Sequence, residues 1–294
     1  MRGVSLKSVR EGWQGRFQAM GSPCELLCES GTRGTASRLT NLVATEAWRI
    51  EDKFSRYLSG NVIDRINSAQ GEPVAVDDET ANLLDFADIL FDLSNESFDI
   101  TSGVMRQVWN FDGSDAVPSQ EQISNILERV GWRKGSWERP TLRLPANMEI
   151  DLGGLGKEYA VDRVVLMLRE QTDTPCLVNF GGDLAITSPP QQRAAWCVGV
   201  EGVEDGRADR MIELRAGALA TSGDARRFLL KGGIRYSHIL DPSTGWPIAN
   251  APRSVTVAAD TCTQAGMIST LAMLRGADAE TFLGEQTEQY WCRR

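Results

Sequence analysis

The sequence predicts an α+β fold, mixed and largely antiparallel in its sheets with helices flanking them, on three observations. Residues before about 130 carry apolar side chains at helical spacing, residues beyond 140 fall into short β-type runs punctuated by Gly, Pro and Asp, and two further helical stretches interrupt those runs. The chain shows no internal repeat, no low-complexity tract and no long linker. We therefore read residues 16–294 as one domain behind an N-terminal extension at 1–15, with the softest boundary near 134–146, where Gly135, Pro140 and Pro145 cluster.

In chain order, residues 16–29 alternate loosely and read as a strand ending near Glu29. Leu39, Leu42, Val43, Trp48, Ile50 and Phe54 fall near a 3.6 period and predict a helix over 35–54; Leu83, Leu84, Ala87, Leu90 and Phe91 predict another over 79–93. Ser119 and Gln122 have capping-box spacing ahead of an Ile123–Ile126–Leu127–Val130 stripe. The runs TLRLP, MEIDL, CLVNF, AAWCVGV, DRMIEL, RFLL and SVTVAA then read as strands, with helices from about 156 to 171 and 261 to 274.

Composition removes several function classes. With 40 acidic against 31 basic residues the formal charge is −9, which disfavours nonspecific binding to nucleic acid or anionic membranes, so any bound anion needs a local positive site. No apolar run approaches the roughly 18 residues of a spanning helix, and the early residues lack a secretory apolar region. A protein without membrane insertion, in the cytoplasm, is the expectation. The six cysteines are scattered without CxxC pairs, which argues against zinc and for reduced, mostly buried thiols.

Only one histidine exists, His238, in the run RYSHILDPSTGWP. Alone, such a residue fits a structural place; beside Ser222, Asp224, Arg226, Arg227 and Asp241 it becomes the catalytic candidate, because that density of hydroxyl, carboxylate and guanidinium suits an anionic ligand. GGLGKE is not a phosphate loop: Asp151 and Glu158 stand where that motif needs Gly and Ser or Thr. No GxGxxG follows a strand. What DLGGLGKEYAVDRV offers is a Gly153–Gly154 turn and a helix start bearing Lys157, which reads either as a tight turn with a solvated lysine or as an anion site. CLVNFGGDLAI repeats the arrangement with Asn179, Gly181, Gly182 and Asp183. Met20 and Tyr57 either pack or cover a planar ring, and Asp99 has acceptor oxygens for such a ring.

In order and spacing, FQAMGSPCEL, FSRYLSGNVIDRIN, SFDITSGVMRQVWNF, IDLGGLGKEYAVDRV, LVNFGGDLAI, ATSGDARRF and YSHILDPSTGWPI resemble the blocks of the ApbE family, the FAD:protein FMN transferases, from about residue 17 to the C-terminus. The resemblance implies FAD as substrate, a divalent cation, usually magnesium, and transfer of FMN to a Ser or Thr hydroxyl of an acceptor protein with AMP leaving. It implies an FAD site from Met20, Tyr57, Asp99, Lys157, the turns Asn179–Gly181–Gly182–Asp183 and Ser222–Gly223–Asp224, and His238 with Ile239 beside the diphosphate. The imidazole is then a proton acceptor or a phosphate contact.

The chain departs from its family at the metal. DTCTQAGMISTLAMLRG keeps Thr270, and Gly156 keeps the backbone oxygen, but the family's helix aspartate is Gly266 here, so a weakened magnesium site is expected. Asp260 lies off the required helix face. Glu158 replaces the glycine of the family's KGY and either adds a second negative charge beside the diphosphate or faces solvent; Ala225 replaces a tyrosine. Two alternatives therefore accompany transfer: an FAD-binding carrier or assembly protein with little activity, and an FAD diphosphatase.

Overall fold

The computed structural model describes residues 2–201, 208–224 and 227–294; Ala225 and Arg226 lie outside them. The first strand, β1 (Ser5–Val9), pairs antiparallel with β2 (Gly12–Ala19) and brings residues 5–9, inside the expected N-terminal extension, into the main sheet. The stretch 16–29 is not one strand. It divides into β2 and β3 (Ser22–Cys28), because Met20 and Gly21 turn the chain at φ 51° and 67°.

Helices α1 (Arg33–Phe54), α2 (Val62–Asn67) and α3 (Asp78–Leu93) follow, then a 3-10 segment at Ile100–Gln107 and α4 (Gln120–Leu127), whose Ser119–Gln122 capping box forms as the spacing requires. Short β4 (Val74–Ala75), β5 (Ser136–Glu138) and β6 (Thr141–Arg143) build a small separate sheet in the order β4-β6-β5. MEIDL is not a strand. Its backbone is held instead by the Asn67 side chain, which bonds Ile150 N–H at 2.7 Å and Ile150 C=O at 3.0 Å, so no ladder forms there.

Helix α5 (Gly156–Gln171) leads into β7 (Cys176–Phe180), β8 (Asp183–Ile186), β9 (Trp196–Glu201), β10 (Ala208–Leu214) and β11 (Ala218–Gly223). After them come β12 (Phe228–Lys231), β13 (Ile234–Ser237), β14 (Ser254–Ala259), α6 (Cys262–Leu274), α7 (Ala279–Gln286) and β15 (Tyr290–Arg293). Among the described residues the main sheet has eight strands, ordered β1-β2-β3-β7-β8-β11-β14-β15, and each neighbouring pair is antiparallel.

Period-two alternation assigns the two faces of this sheet. Val178, Ala185, Ala218, Ala220, Val255 and Val257 join the large core against α1, α5 and α6, whereas Leu177, Leu184, Ile186 and Leu219 pack against Trp196, Val200, Ile212 and Leu214 of the β9–β10 ribbon. The same parity turns Asp183 and Ser222 toward the helices, which is what makes a site possible there. A third cluster, around Trp109, Ile123 and Leu229 with Trp246 packed on it, supports the His238 segment. No helix of the described residues is long and apolar enough to cross a membrane.

Candidate active site

Helix α5 starts at Gly156 immediately after the Gly153–Gly154 turn, and its N-cap, Leu155, has no side-chain cap. Lys157 therefore leaves the first turn toward β8, where its ammonium forms an ion pair with Asp183. Asp183 is 2% exposed, and its second oxygen accepts the Thr221 N–H of β11 at 3.3 Å. Burial works against the Lys157 charge, but the Asp183 and Glu158 carboxylates outweigh it and hold the ammonium above the ordinary lysine value. The lysine is thus an oriented cation rather than a solvated one.

Glu158 does not face solvent. It is 9% exposed, lies against α6, and its Oε2 is buried with no hydrogen-bond partner among the described residues. Burial, with the neighbouring Asp183 charge, pushes its carboxyl up to about 8. The space it fills is the one Gly266 leaves: a Cβ at 266 would stand 2.5 Å from Glu158 Cγ and 3.0 Å from its Oε1. The glycine has a packing reason after all. Gly266→Ala is accordingly expected to cost about 1–3 kcal/mol through overpacking, which outweighs the roughly 1 kcal/mol that alanine gains in a helix interior; thermal unfolding of the variant checks the sign.

One turn further along α6, Ser269 and Thr270 meet β11. The Ser222 hydroxyl shares hydrogen bonds with Ser269 Oγ at 2.9 Å and Thr270 Oγ1 at 3.0 Å, and Ser269 donates to Gly266 C=O at 3.0 Å. Asp162 of α5 fixes this contact by accepting the Cys262 and Thr263 N–H groups at 2.7 and 2.8 Å, so it anchors the N-terminus of α6. The result is a cluster of Lys157, Glu158, Asp183, Ser222 and Thr270 at one end of β8 and β11.

Gly223 and Asp224 end β11 beside this cluster. A Cβ at Gly223 would lie 2.7 Å from Arg253 C=O, so the close pairing with β14 requires glycine. The buried Asp224 carboxylate accepts Arg235 Nε at 2.9 Å and Arg253 Nε at 2.8 Å, which ties β11 to β13 and β14. Asp224 is therefore a clamp on the site's frame. His238 lies on the segment leaving β13, edge-on to Phe111 at 6.2 Å between ring centroids, with a buried Nδ1 that has no partner among the described residues. Burial, then the Arg227 charge, lowers its basicity below the ordinary histidine value.

The remaining expected residues divide. Asn179 Oδ1 accepts Gly182 N–H at 2.9 Å and closes the β7–β8 turn, where Gly181 and Gly182 have φ of 67° and 107°. Met20, at its positive φ, donates its N–H to Glu51 at 2.6 Å. Tyr57 is 76% exposed, with the Arg56 guanidinium over its ring and donating to its hydroxyl at 2.8 Å, and Arg56 is paired to Asp151 just before the Gly153 turn. Asp99 is 7% exposed and caps the 3-10 segment: one oxygen takes Thr101 N–H and Oγ1 at 2.7 and 2.6 Å, the other Trp132 N–H at 2.9 Å. Ile239 is half-buried against the large core.

Sequence reasoning missed the roles of Glu158, Asp162, Arg56 and Asp151. The signal for Glu158 was its pairing with Gly266, two departures that make sense only together. Two surface depressions, of about 640 and 710 Å³, are lined by Arg2 with residues of α1 and by Arg2 with residues of the β1–β3 edge.

Comparison with known proteins agrees with these blocks. Residues 20–291 match the model of the ApbE family. A FAD:protein FMN transferase of Vibrio cholerae is 30% identical over 247 residues, covering 81% of this chain and 74% of that protein. One from Klebsiella pneumoniae gives the same figures. Among solved structures, an ApbE protein of Thermotoga maritima superposes with a TM-score of 0.83 at 30% identity, over 96% of this chain and 91% of that one. The flavin transferase ApbE from Vibrio cholerae matches with a TM-score of 0.80 at 24% identity, over 100% and 98%.

Proposed function

Because the chain belongs to the ApbE family, we propose that it is an FAD:protein FMN transferase acting on a Ser or Thr hydroxyl of an acceptor protein, in the cytoplasm. The observation that carries the reading is the convergence of an oriented ammonium, a buried carboxylate and three hydroxyls at one end of β8 and β11, within a match that spans the domain.

The reaction is substitution at phosphorus. The acceptor oxygen bonds to the phosphorus of the FMN half of FAD, the bond from that phosphorus to the bridging oxygen breaks, AMP leaves with that oxygen, and the hydroxyl proton passes to a base. Lys157, held by Asp183, neutralises phosphate charge. Tyr57 offers a ring face to the isoalloxazine, and the Asn179–Asp183 and Ser222–Asp224 turns shape the walls. His238 takes the proton: its unpartnered Nδ1 and lowered basicity keep it neutral at physiological pH.

A magnesium-like cation would add positive charge against the phosphate oxygens when bound. The residues fit one. An unpartnered carboxylate oxygen and the Ser222, Ser269 and Thr270 hydroxyls form an all-oxygen set, with the Gly156 backbone at the start of the neighbouring helix. No group of three or more His, Cys, Asp or Glu side chains gathers among the described residues, so substrate phosphate would complete the shell.

Product analysis tests the assignment. AMP formed only with an acceptor present supports transfer, AMP and free FMN without one would mean hydrolysis, and bound FAD without turnover would mean a carrier. A base whose pKa lies below the usual histidine value is competent above that pKa, so the transfer rate is expected to rise from acid with the midpoint of the limb below about pH 6.5; a limb centred above that value would remove His238 from the role.

A further inference from the structure

The orphaned oxygen of Glu158 and the glycine facing it belong to one device. Along α6, positions 266 and 270 are one turn apart on the same face, and Thr270 Oγ1 is already among the site hydroxyls. Position 266 carries no side chain, and the volume a side chain would enter is taken by the Cγ, Cδ and Oε1 of Glu158, arriving from α5. A carboxylate thus stands over the 266 position although α6 does not supply it. It is nine-tenths buried with one oxygen unbonded, an arrangement that costs stability unless something occupies that oxygen. Asp183 is committed to Lys157, and Asp162 to the backbone of α6, so neither carboxylate is free for another partner.

We propose that Glu158 is the anionic protein ligand of the divalent cation in this enzyme, seated by Gly266 so that its carboxylate reaches from α5 the place beside Thr270 that a side chain on α6 would otherwise occupy. The ligand set is then Glu158, the Thr270 hydroxyl, backbone oxygen at the start of α5 and phosphate oxygens of the substrate. Magnesium and manganese, hard cations that take oxygen and commonly one carboxylate, are the matching class. This deepens the transferase reading and rests on it for the phosphate ligands alone. It also reverses the naive repair. Gly266→Asp by itself brings a second carboxylate into the space Glu158 fills, so it disrupts the site, whereas Glu158→Gly with Gly266→Asp relocates the carboxylate and keeps the volume.

The test is Mn2+ titration of the full chain, alone and with FAD, followed by electron paramagnetic resonance, for the wild type, Glu158→Gln and the double variant. Glu158→Gln removes the charge and keeps the shape; Mn2+ affinity is expected to fall roughly 10- to 100-fold or more, while FAD binding without metal is kept. The double variant is expected to recover most of the affinity, and it decides the matter should Glu158→Gln fail to fold. Unchanged Mn2+ affinity in Glu158→Gln, a folded double variant that binds none, or a wild type that binds none beyond FAD itself would each overturn the assignment. FMN transfer by the wild type is scored separately: transfer with metal binding indifferent to Glu158 defeats this ligand assignment alone, and Glu158-dependent binding without transfer defeats the transferase reading alone.

Discussion

His238→Ala is expected to lower the FMN transfer rate by about 10²- to 10⁴-fold, the usual contribution of a positioned proton acceptor, while FAD still binds. The imidazole is fixed by its place on the segment leaving β13 and by the edge contact with Phe111, and its Nδ1 has no protein partner to give up on receiving a proton. In the proposed role a neutral ring near Asp224 takes up charge when the hydroxyl proton arrives, and not before. Rapid-quench measurement of transfer together with equilibrium FAD binding checks both halves. A rate within a fewfold of wild type would remove histidine from the chemistry, and a matched loss of FAD affinity would make it a phosphate contact instead. The same burial also links it to stability. Because the folded pKa is lowered, the unfolded chain takes up more protons as pH falls below about 6.5, so stability is lost in that direction.

Lys157→Met carries the largest expected loss of stability. It strands Asp183, 2% exposed, with only the Thr221 N–H at 3.3 Å, beside the buried Glu158 carboxyl. Removing one partner of a buried pair costs about 3–5 kcal/mol; the lower end applies because the lysine side chain is 31% exposed. In a chain of this size about 3 kcal/mol is a fall in Tm of roughly 5 °C. FAD affinity falls as well, since the phosphate loses its cation. Adding Asp183→Asn is expected to return most of the stability and none of the FAD affinity, and calorimetry on the single and double variants separates the two effects. An unchanged Tm in Lys157→Met would mean that the ion pair does not hold the α5–β8 contact.

The sequence made the long elements legible and the exchanges between elements illegible. Helices α1, α3, α5 and α6 stood out because each has a sustained apolar stripe or a capped start. The Met20–Gly21 turn was hidden inside an apparently continuous strand, because a positive φ at a non-glycine residue leaves no periodic trace. β11 escaped because ALATSG is built of small and polar residues with little strand preference, and neighbouring strands impose its conformation. At the site, Lys157, Asp183, Ser222, Thr270 and His238 were readable as motif residues. Their roles were not all readable: Asp99 caps the 3-10 segment, Asp224 clamps two arginines, and Glu158 is buried against α6, where the sequence left open a charge beside the diphosphate or one facing solvent. Burial of Glu158 depends on a vacancy 108 positions later in the chain at Gly266, and a contact of that separation has no local signature.

The most direct test of the transferase account is the intact mass of an FMN-acceptor domain after incubation with this protein, FAD and magnesium, against a control without magnesium. The account predicts a mass gain of one FMN on the acceptor that requires the metal. No gain on two different acceptors, with FAD binding demonstrated in parallel, would contradict it.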